Sequence, residues 1–582
     1  MMIKNTICLL FLLVPAHSYG QDKYNYIRST VMLDSSATRQ TTTVQYYDGL
    51  GRPIVTVSDG ISGNGEKVST AQYYDGLDRI VRQYLPVSGD VASCYGEDDL
   101  SSLSYRTYGD NSGLIDVTHD VLDRKLESTI PGAAWRGKSN KTTYSVNAAG
   151  EVRNFSAPLG VNTLKDMGYY SAGTLTGMTT TDADGHTLTV YTDMDGRKVL
   201  ERRDKSTDTY FVYNDLGQLR FVLPPIYQNC ELKNKMAITG YEYRYDGRGR
   251  LIKKILPGCK TIQYWYDYGD RMVFMQDENL RQLDRFRFMF YDKLGRLAVQ
   301  GLCSDCNRND QKLPIVTFLA GSGGVGGSDY RLNIDLLLTR PVIEKVIYYD
   351  DYDFMGGSFK AGFSGLEVNT TTSAKGLPTG TVERASNGEL LYSVTAYDIR
   401  GNVTETKTRG LGGRIASAKN SYTLTNNPRF SCTTVNVGGK PLTIQAGNSY
   451  NVHNDKLEAY TLTLSHGGTP VSIAMKYKYD NLGRLKTATR PIGTGEEGAV
   501  NYDYDLHGWT KAIRTNSFKE NLYYADGMGT PCYNGNISSL TWSNKNTSAN
   551  RGYQFHYDGL DRLETAKYAE DDFSINEDRY NE

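Results

Sequence analysis

Several short stretches of this chain carry residue types and spacings that can do chemistry. Gly132-Ala-Ala-Trp-Arg-Gly137-Lys138-Ser139 has the G-x-x-x-x-G-K-S spacing of a phosphate-binding loop. Such a loop joins a buried strand to a helix whose first amides cradle phosphate. Here Pro131 precedes it, a Trp sits inside it, and the strand-like Lys141-Thr-Thr-Tyr-Ser-Val follows, so a Gly-rich turn is expected. Gly321-Ser-Gly323-Gly-Val-Gly326 has G-x-G-x-x-G spacing after the apolar run Ile315 to Ala320. No βαβ pattern surrounds it, and a Gly-rich linker explains it as well. Asp182-Ala-Asp184-Gly185 and Asp193-Met-Asp195-Gly196 are acidic loops, but Ca²⁺ needs several more oxygens, usually including a downstream bidentate Glu. Cys303-Ser-Asp-Cys306 is a lone C-x-x-C with no second ligand pair and no thioredoxin-like context, which argues for a local disulfide or plain thiols. Beyond His17, the histidines His119, His186, His453, His466, His507 and His556 form no H-E-x-x-H, and no G-x-S-x-G occurs. No catalytic, cofactor or metal site is therefore expected.

The residues that do recur belong to a hexapeptide, Tyr-Asp-x-x-Gly-Arg. Full copies place Tyr47, Asp48, Gly51 and Arg52 at the motif positions, then Tyr74, Asp75 and Arg79, with Asp78 at the Gly place. Tyr245, Asp246, Gly249 and Arg250 follow, then Tyr291, Asp292, Gly295 and Arg296. Tyr479, Asp480, Gly483 and Arg484 come next, and Tyr557, Asp558 and Arg562 last, with Asp561 at the Gly place. Looser copies begin at Thr192, Tyr213, Tyr397 and Tyr504, and eroded ones at His119 and Tyr144. Strand-like runs flank the copies: Ile262-Gln-Tyr-Trp-Tyr leads in, Leu251-Ile-Lys-Lys-Ile-Leu leads out. An Asp side chain bonds a backbone N–H two residues on, and Gly accepts positive φ, so each copy reads as strand, tight turn, strand. Tyr suits a half-buried strand, ring packed and hydroxyl wet. The Arg is within reach of its own turn Asp or of a neighbouring hairpin, and the sequence leaves both open.

The spacing is irregular: Asp48 to Asp75 is 27 residues, Asp292 to Asp398 is 106. A propeller or regular solenoid keeps a tighter period. The expected fold is all-β, one extended winding antiparallel sheet of hairpins, open-ended. The 582 residues allow about four ordinary domains, but the repeats argue for one long array. Expected boundaries are a signal peptide at 1–20, an N-terminal β domain at 21–160, repeat sheet at 161–300, an irregular Gly/Cys-containing insertion at 301–345, and further repeat sheet at 346–582. Inside the insertion, Asp329 to Arg340 is the one convincing helical candidate. No obvious capping element follows the last hairpin, as expected for a truncated product or for a chain that a neighbouring one completes.

A net charge of −1, from 65 basic and 66 acidic residues, gives no electrostatic reason to propose nucleic acid or an anionic membrane as partner. Lys4, the apolar Ile7 to Val14 and the small-x-small Ser18-Tyr19-Gly20 read as a Sec signal cleaved before Gln21, which sends the chain to the periplasm, outer surface or beyond. Cys8 is badly placed for a lipid anchor, and no run is long enough to span a membrane. The remaining cysteines, Cys94, Cys230, Cys259, Cys303, Cys306, Cys432 and Cys532, are an odd, sparse set rather than a disulfide framework.

The repeated hexapeptides resemble the YD repeats of RHS proteins over most of the chain from about residue 25. Asn25-Tyr-Ile-Arg28, the copies at Tyr47 and Tyr74, and Tyr84-Leu-Pro86 look like the uncharacterised N-terminal domain of Bacteroidota RHS-repeat proteins; Pro131-Gly-Ala-Ala-Trp135 and Tyr348-Tyr-Asp-Asp-Tyr-Asp353 are similar to segments of that group. The resemblance implies a β-sheet shell around a variable, frequently toxic C-terminal payload, released in some members by aspartyl self-cleavage. This chain has no Asp-Pro dipeptide and no payload domain, so the shell role carries over while self-cleavage and toxin activity do not. The function expected is a non-enzymatic exported shell or cell-surface scaffold, with a payload encoded elsewhere as partner. The alternative is an adhesin whose Tyr-rich sheets bind surface glycan.

Overall fold

Strands that reverse at every Asp-x-x-Gly turn can only build an antiparallel meander. The computed structural model, which describes residues 24–91, 97–204, 207–231, 235–306, 313–321, 323–336, 338–492, 496–545, 547–570 and 574–575, shows that arrangement. Among the described residues, 37 strands form a single sheet. It begins with β1 (Asn25–Met32), β2 (Gln40–Tyr47), β3 (Pro53–Asp59) and β4 (Val68–Tyr74), each paired antiparallel with the next. The same pattern continues to the pair Thr547–Tyr557 and Leu563–Glu570. The expected signal segment and Cys94 lie outside the described residues.

At each full repeat turn the ladder slips by one residue beside the motif Tyr. Tyr46 opposes Val55 while Tyr47 opposes Pro53, and the same slip precedes Tyr245, Tyr291, Tyr479 and Tyr557. A bulge bends its strand and adds twist. A bulge on the same side of successive hairpins therefore curves the ribbon steadily in one sense.

Followed strand to strand through the registers, the buried side chains share one face: Val57, Tyr191, Phe221, Phe288, Val346 and Val394 all fall on it. Insertions cover that face. The longest helix described, α1 (Glu97–Tyr108), brings buried Leu100 into the first core beside Val55 and Val57. Leu100 and Leu103 stand three residues apart on one helical face, a signal too short to stand out among strands. Further on, Phe354 stacks on Tyr348 at 4.4 Å and meets Phe363 at 4.8 Å. Gly380 makes room for that ring, since a Cβ there would lie 2.2 Å from Phe354 Cζ.

The helical candidate at Asp329 to Arg340 is not a helix. Tyr330–Leu332 and Leu338–Thr339 are short strands. Tertiary contacts override the local pattern: the buried Asp329 carboxylate accepts from Ser358 N at 2.6 Å and from Tyr348 Oη at 3.0 Å, and Tyr330 stacks on Tyr348. The Gly-rich stretch at Gly321 to Gly326 wraps the same carboxylate, with Gly321 N donating to Asp329 at 3.4 Å. It ends in the single 3-10 turn Val325–Gly327, and among the described residues no α-helix directly follows it. Its surroundings are the strands Val316–Phe318 and Tyr330–Leu332, which pair with each other.

Beyond this core the sheet becomes a bare single layer. No residue from Leu411 to Leu482 is fully buried. There the apolar side chains change to the opposite face, where Ile444 opposes Leu464, Leu462 opposes Ile473 and Tyr460 opposes Met475. The face that carries the core elsewhere is here polar, with Thr463 bonded to Ser472 at 2.8 Å.

Replacing Phe354, 1% exposed, with Ala leaves a cavity between Tyr348 and Phe363, so a loss of about 3–5 kcal/mol is expected in urea unfolding. A loss below about 1 kcal/mol would show that the insertion does not stabilise this part of the sheet.

Candidate functional site

The repeat turns hold the densest polar chemistry, and their geometry answers the question about the Arg. In the first copy the Asp48 carboxylate does three jobs. Its Oδ1 accepts from Leu50 N and Arg52 N, both at 2.9 Å, and its Oδ2 accepts Arg52 Nε at 2.7 Å. Gly51, at φ 79°, lets the chain turn while its N–H reaches Asp48 O. Asp75, Asp246, Asp292, Asp480 and Asp558 repeat the arrangement with Arg79, Arg250, Arg296, Arg484 and Arg562. Asp78 and Asp561 take φ of 64° and 59° at the Gly place, as their short polar side chains permit.

The same Arg also reaches sideways. Arg52 Nη1 bonds Asp78 of the next hairpin at 2.6 Å, and Arg250 Nη1 bonds Asp267 O at 2.8 Å and Asp270 at 3.0 Å. Arg296 bonds both carboxylate oxygens of Asp350, at 3.0 and 2.7 Å. Four of these guanidiniums lie over the next hairpin's Tyr ring, 4.7 Å for Arg52 and Tyr74, 5.1 Å for Arg250 and Tyr266, 4.2 Å for Arg296 and Tyr349, and 4.8 Å for Arg484 and Tyr504. That Tyr closes the circuit by donating back to the carbonyl just after the Arg: Tyr74 to Pro53 at 2.9 Å, Tyr349 to Leu297 at 2.9 Å, Tyr504 to Leu485 at 2.7 Å. Tyr245, Tyr291, Tyr479 and Tyr557 make the same bond to Leu219, Met272, Leu457 and Ile537. Tyr47, in the first copy, turns to Gln45 instead.

Burial pushes the hydroxyls of Tyr74, Tyr245, Tyr291, Tyr479, Tyr504 and Tyr557 up. The Arg79 side-chain bond and the Arg79 backbone N–H hold Asp75 down at about 2.

Some turns escape the sequence pattern. Tyr266-Asp267-Tyr268-Gly269-Asp270-Arg271 is a full copy, legible from its letters and missed, with Arg271 bonded to Asp267 at 3.0 Å. Thr423 and Asn427 occupy a turn with no carboxylate of its own, and Thr425 and Asn427 donate to Asp455 of a later turn at 2.6 and 2.7 Å. Others keep the geometry with changed partners. In Tyr504-Asp505-Leu506-His507-Gly508-Trp509, His507 Nδ1 takes the Arg's place on Asp505 at 3.0 Å, which frees position 509 for a Trp.

That Trp belongs to a second feature, a seam between distant parts of the ribbon. Consecutive turns of a meander alternate between its two edges, so the full repeat turns all lie on one edge. Turns from the opposite edge of the N-terminal half sit on the repeat edge of the C-terminal half. Arg39 bonds Asn451 O at 2.7 Å and Asp455 at 3.2 Å, Gly63 N bonds Asp480 O at 3.0 Å, and Asp184 accepts Tyr533 N at 2.8 Å. The partners are 349 to 417 residues apart. At Gly63 a Cβ would lie 2.3 Å from Tyr479 O, so the backbones touch.

The phosphate-loop look-alike is part of this seam. Trp135 is buried against His507 at 4.5 Å and Trp509 at 6.0 Å, and Lys138 Nζ stands over the Tyr533 ring at 4.1 Å. The strand Ser139–Val146 follows where a phosphate loop needs a helix. The acidic loops are turns: Asp182 Oδ1 accepts Asp184 N and His186 N, and Asp193 Oδ1 accepts Asp195 N and Arg197 N. Cys303 and Cys306 are buried in the largest core, whereas Cys230, Cys259, Cys432 and Cys532 are free thiols. No group of three or more metal-ligating side chains occurs among the described residues. A seam cavity of about 140 Å³ gathers Asp184, His186, Cys532 and His556. Burial pushes the Cys532 thiol up to about 11, which keeps it protonated and a poor nucleophile.

Residues 21–148 match a family described as a domain of unknown function, DUF6443. No curated protein matches the chain. Among solved structures it is similar to TcdB2-TccC3 without the hypervariable C-terminal region, with 12% identity and a TM-score of 0.47 over 96% of this chain and 27% of that one. It is also similar to the Photorhabdus luminescens Tc holotoxin pore carrying a TccC3 mutation, with 12% identity and a TM-score of 0.43 over 96% and 26%. TcdB2-TccC3-Cdc42 gives 12% identity and a TM-score of 0.44 over 96% and 27%. The chain thus spans about a quarter of the length of each of these structures.

Two outcomes test the turn assignment. Arg296→Met removes bonds to Asp292 and Asp350 together and is expected to cost about 1–3 kcal/mol in chemical denaturation. Arg562→Met, in the last copy with its side chain 72% exposed, is expected to leave the denaturation midpoint nearly unchanged. Equal effects would refute the sideways role. For pH, the Asp75 carboxylate falls from 3.8 to about 2 on folding, so its contribution is complete above 3.8 and lost as pH drops through 2. The thermal midpoint should hold at neutral pH and fall steeply only below 3.8. A midpoint that rises on acidification would contradict this.

Proposed function

We propose that this chain is a non-enzymatic exported structural protein, the N-terminal part of an RHS-type shell or cell-surface scaffold that encloses or presents a polypeptide payload. The observation that carries the reading is the seam. A curved ribbon whose two edges meet after one circuit makes a wall, and a wall serves what lies behind it. The bare sheet around Leu442 to Met475 supports the same reading, because its exposed apolar face suits contact with another polypeptide. The N-terminal block is read as the Bacteroidota-type opening of such a shell, delivered by the Sec signal at residues 1–20. No helix among the described residues is long and apolar enough to cross a membrane. A glycan-binding surface is less well supported, since the motif tyrosines commit their hydroxyls to neighbouring carbonyls.

Small-angle scattering on the chain lacking residues 1–20 tests the wall. The native chain should scatter as a wound, partly hollow β-rich particle. The pair Trp135→Ala and Arg39→Ala should enlarge its radius of gyration while strand content holds, because only seam contacts are lost. Co-expression with the polypeptide encoded next to it should then protect that polypeptide from protease. A native chain that scatters as a flat open ribbon, or a reproducible hydrolase activity lost on point substitution, would overturn the proposal.

A further inference from the structure

Among the described residues, the ribbon starts on an open edge. Among the described residues β1 pairs with β2 alone, along all eight of its residues, so its outer row of N–H and C=O groups faces away from the sheet. Proteins blunt such edges with Lys, Pro, bulges or a covering loop, because an open edge invites another strand. Among the described residues β1 has none of these. Its register with β2 runs unbroken from Asn25 to Met32, and Arg28 is its single charge. Its apolar residues are exposed on both faces: Tyr26 46%, Ile27 53%, Val31 53% and Met32 44%.

We infer that β1 pairs antiparallel with β1 of a second copy of this chain, about a two-fold axis through Ser29, making one continuous sheet. Side chains alternate between faces, so a two-fold axis normal to the sheet must pass through a residue, and the candidates can be compared. An axis at Arg28 sets Arg28 against its own copy, and directly opposed like charges are destabilising. An axis at Thr30 sets Met32 against Arg28 and Val31 against Ser29. An axis at Ser29 sets Ile27 against Val31 on one face, and Tyr26 against Met32 and Arg28 against Thr30 on the other. Symmetry doubles each pair, so this register covers all four exposed apolar side chains and opposes no like charges. Every pairing in the main sheet is antiparallel, and the partner strand continues that rule.

Sedimentation of the chain lacking residues 1–20, across a range of concentrations, tests this. The native chain should show a discrete monomer–dimer equilibrium that persists in added salt, which screens the diagonal arginines. Ile27→Lys with Val31→Lys opposes like charges and should weaken association about tenfold or more, with the circular dichroism spectrum unchanged. Ile27→Lys with Val31→Glu sets each Lys against a Glu of the other copy and should restore the dimer. Independently, Ser29→Cys should give an oxidised dimer on a non-reducing gel that Ile27→Cys does not. A monomer at every concentration, an open-ended ladder of larger species, or a dimer indifferent to both Lys variants would overturn the inference.

Discussion

The full repeat turns of this sheet each hang on one carboxylate, a place that Asn214, Thr423 and Asn451 take in eroded turns. The repeat Asp accepts two backbone N–H groups and the Arg Nε at once, and this closes the turn and fixes the direction of the guanidinium. With the Nε held, the remaining guanidinium N–H groups point along the ribbon to the next hairpin. Exposed single ion pairs contribute little to stability. These differ in being joined: Arg52, Arg250, Arg296 and Arg484 each bond two hairpins and lie over a Tyr ring, and that Tyr bonds back to the strand carrying the Arg. The unit of stability is therefore the link between hairpins. From Leu411 to Leu482, where no residue is fully buried and no repeat Arg stands, the Tyr back-bonds of Tyr422 to Val403 and Tyr450 to Pro428, with Thr425 and Asn427 bonded to Asp455, make the links instead.

The bulge beside each Tyr is the second consequence. Because Tyr and the residue after Arg must face each other across a turn that holds the Asp, the ladder absorbs one extra residue each time. Repeated on one edge, this curves the ribbon until its opposite edge meets the repeat turns of a later stretch. The seam then uses turn residues for a second purpose. Asp480 closes its own turn through its side chain while its carbonyl accepts Gly63 N from more than 400 residues away. The eroded copy at Tyr504 fits the same logic, since His507 keeps the carboxylate satisfied and position 509 becomes a Trp that packs across the seam.

The motifs that look like chemistry in the letters turn out to be close approaches and turns. Gly132 lets the Trp135 loop approach Leu506, whose Cδ2 would lie 2.8 Å from a Cβ there. Gly357 leaves room for the Asp329 carboxylate that the Gly321 loop surrounds, where a Cβ would meet it at 2.5 Å. In both cases glycine serves backbone contact, the same property a phosphate loop exploits for a ligand. The letters alone do not distinguish the two uses.

What the sequence determined by itself was local. Asp-x-x-Gly-Arg specifies a turn through bonds spanning four residues, and Tyr-rich alternation specifies the strands beside it, so the antiparallel hairpin sheet is legible wherever the letters are intact. Copies such as Thr423 to Asn427 are hidden because a hydroxyl supplies the acceptor that Asp supplies elsewhere. Only the tertiary structure decided the rest. The extended path at Tyr330 follows from a buried carboxylate bonded to Ser358 and Tyr348, residues that no local window contains. The sideways reach of the Arg depends on which hairpin comes next in space, and insertions such as the one between Arg296 and Asp350 separate those neighbours in the chain. The seam depends on curvature summed over many bulges, and the placement of Trp135 on His507 is therefore a property of the whole ribbon.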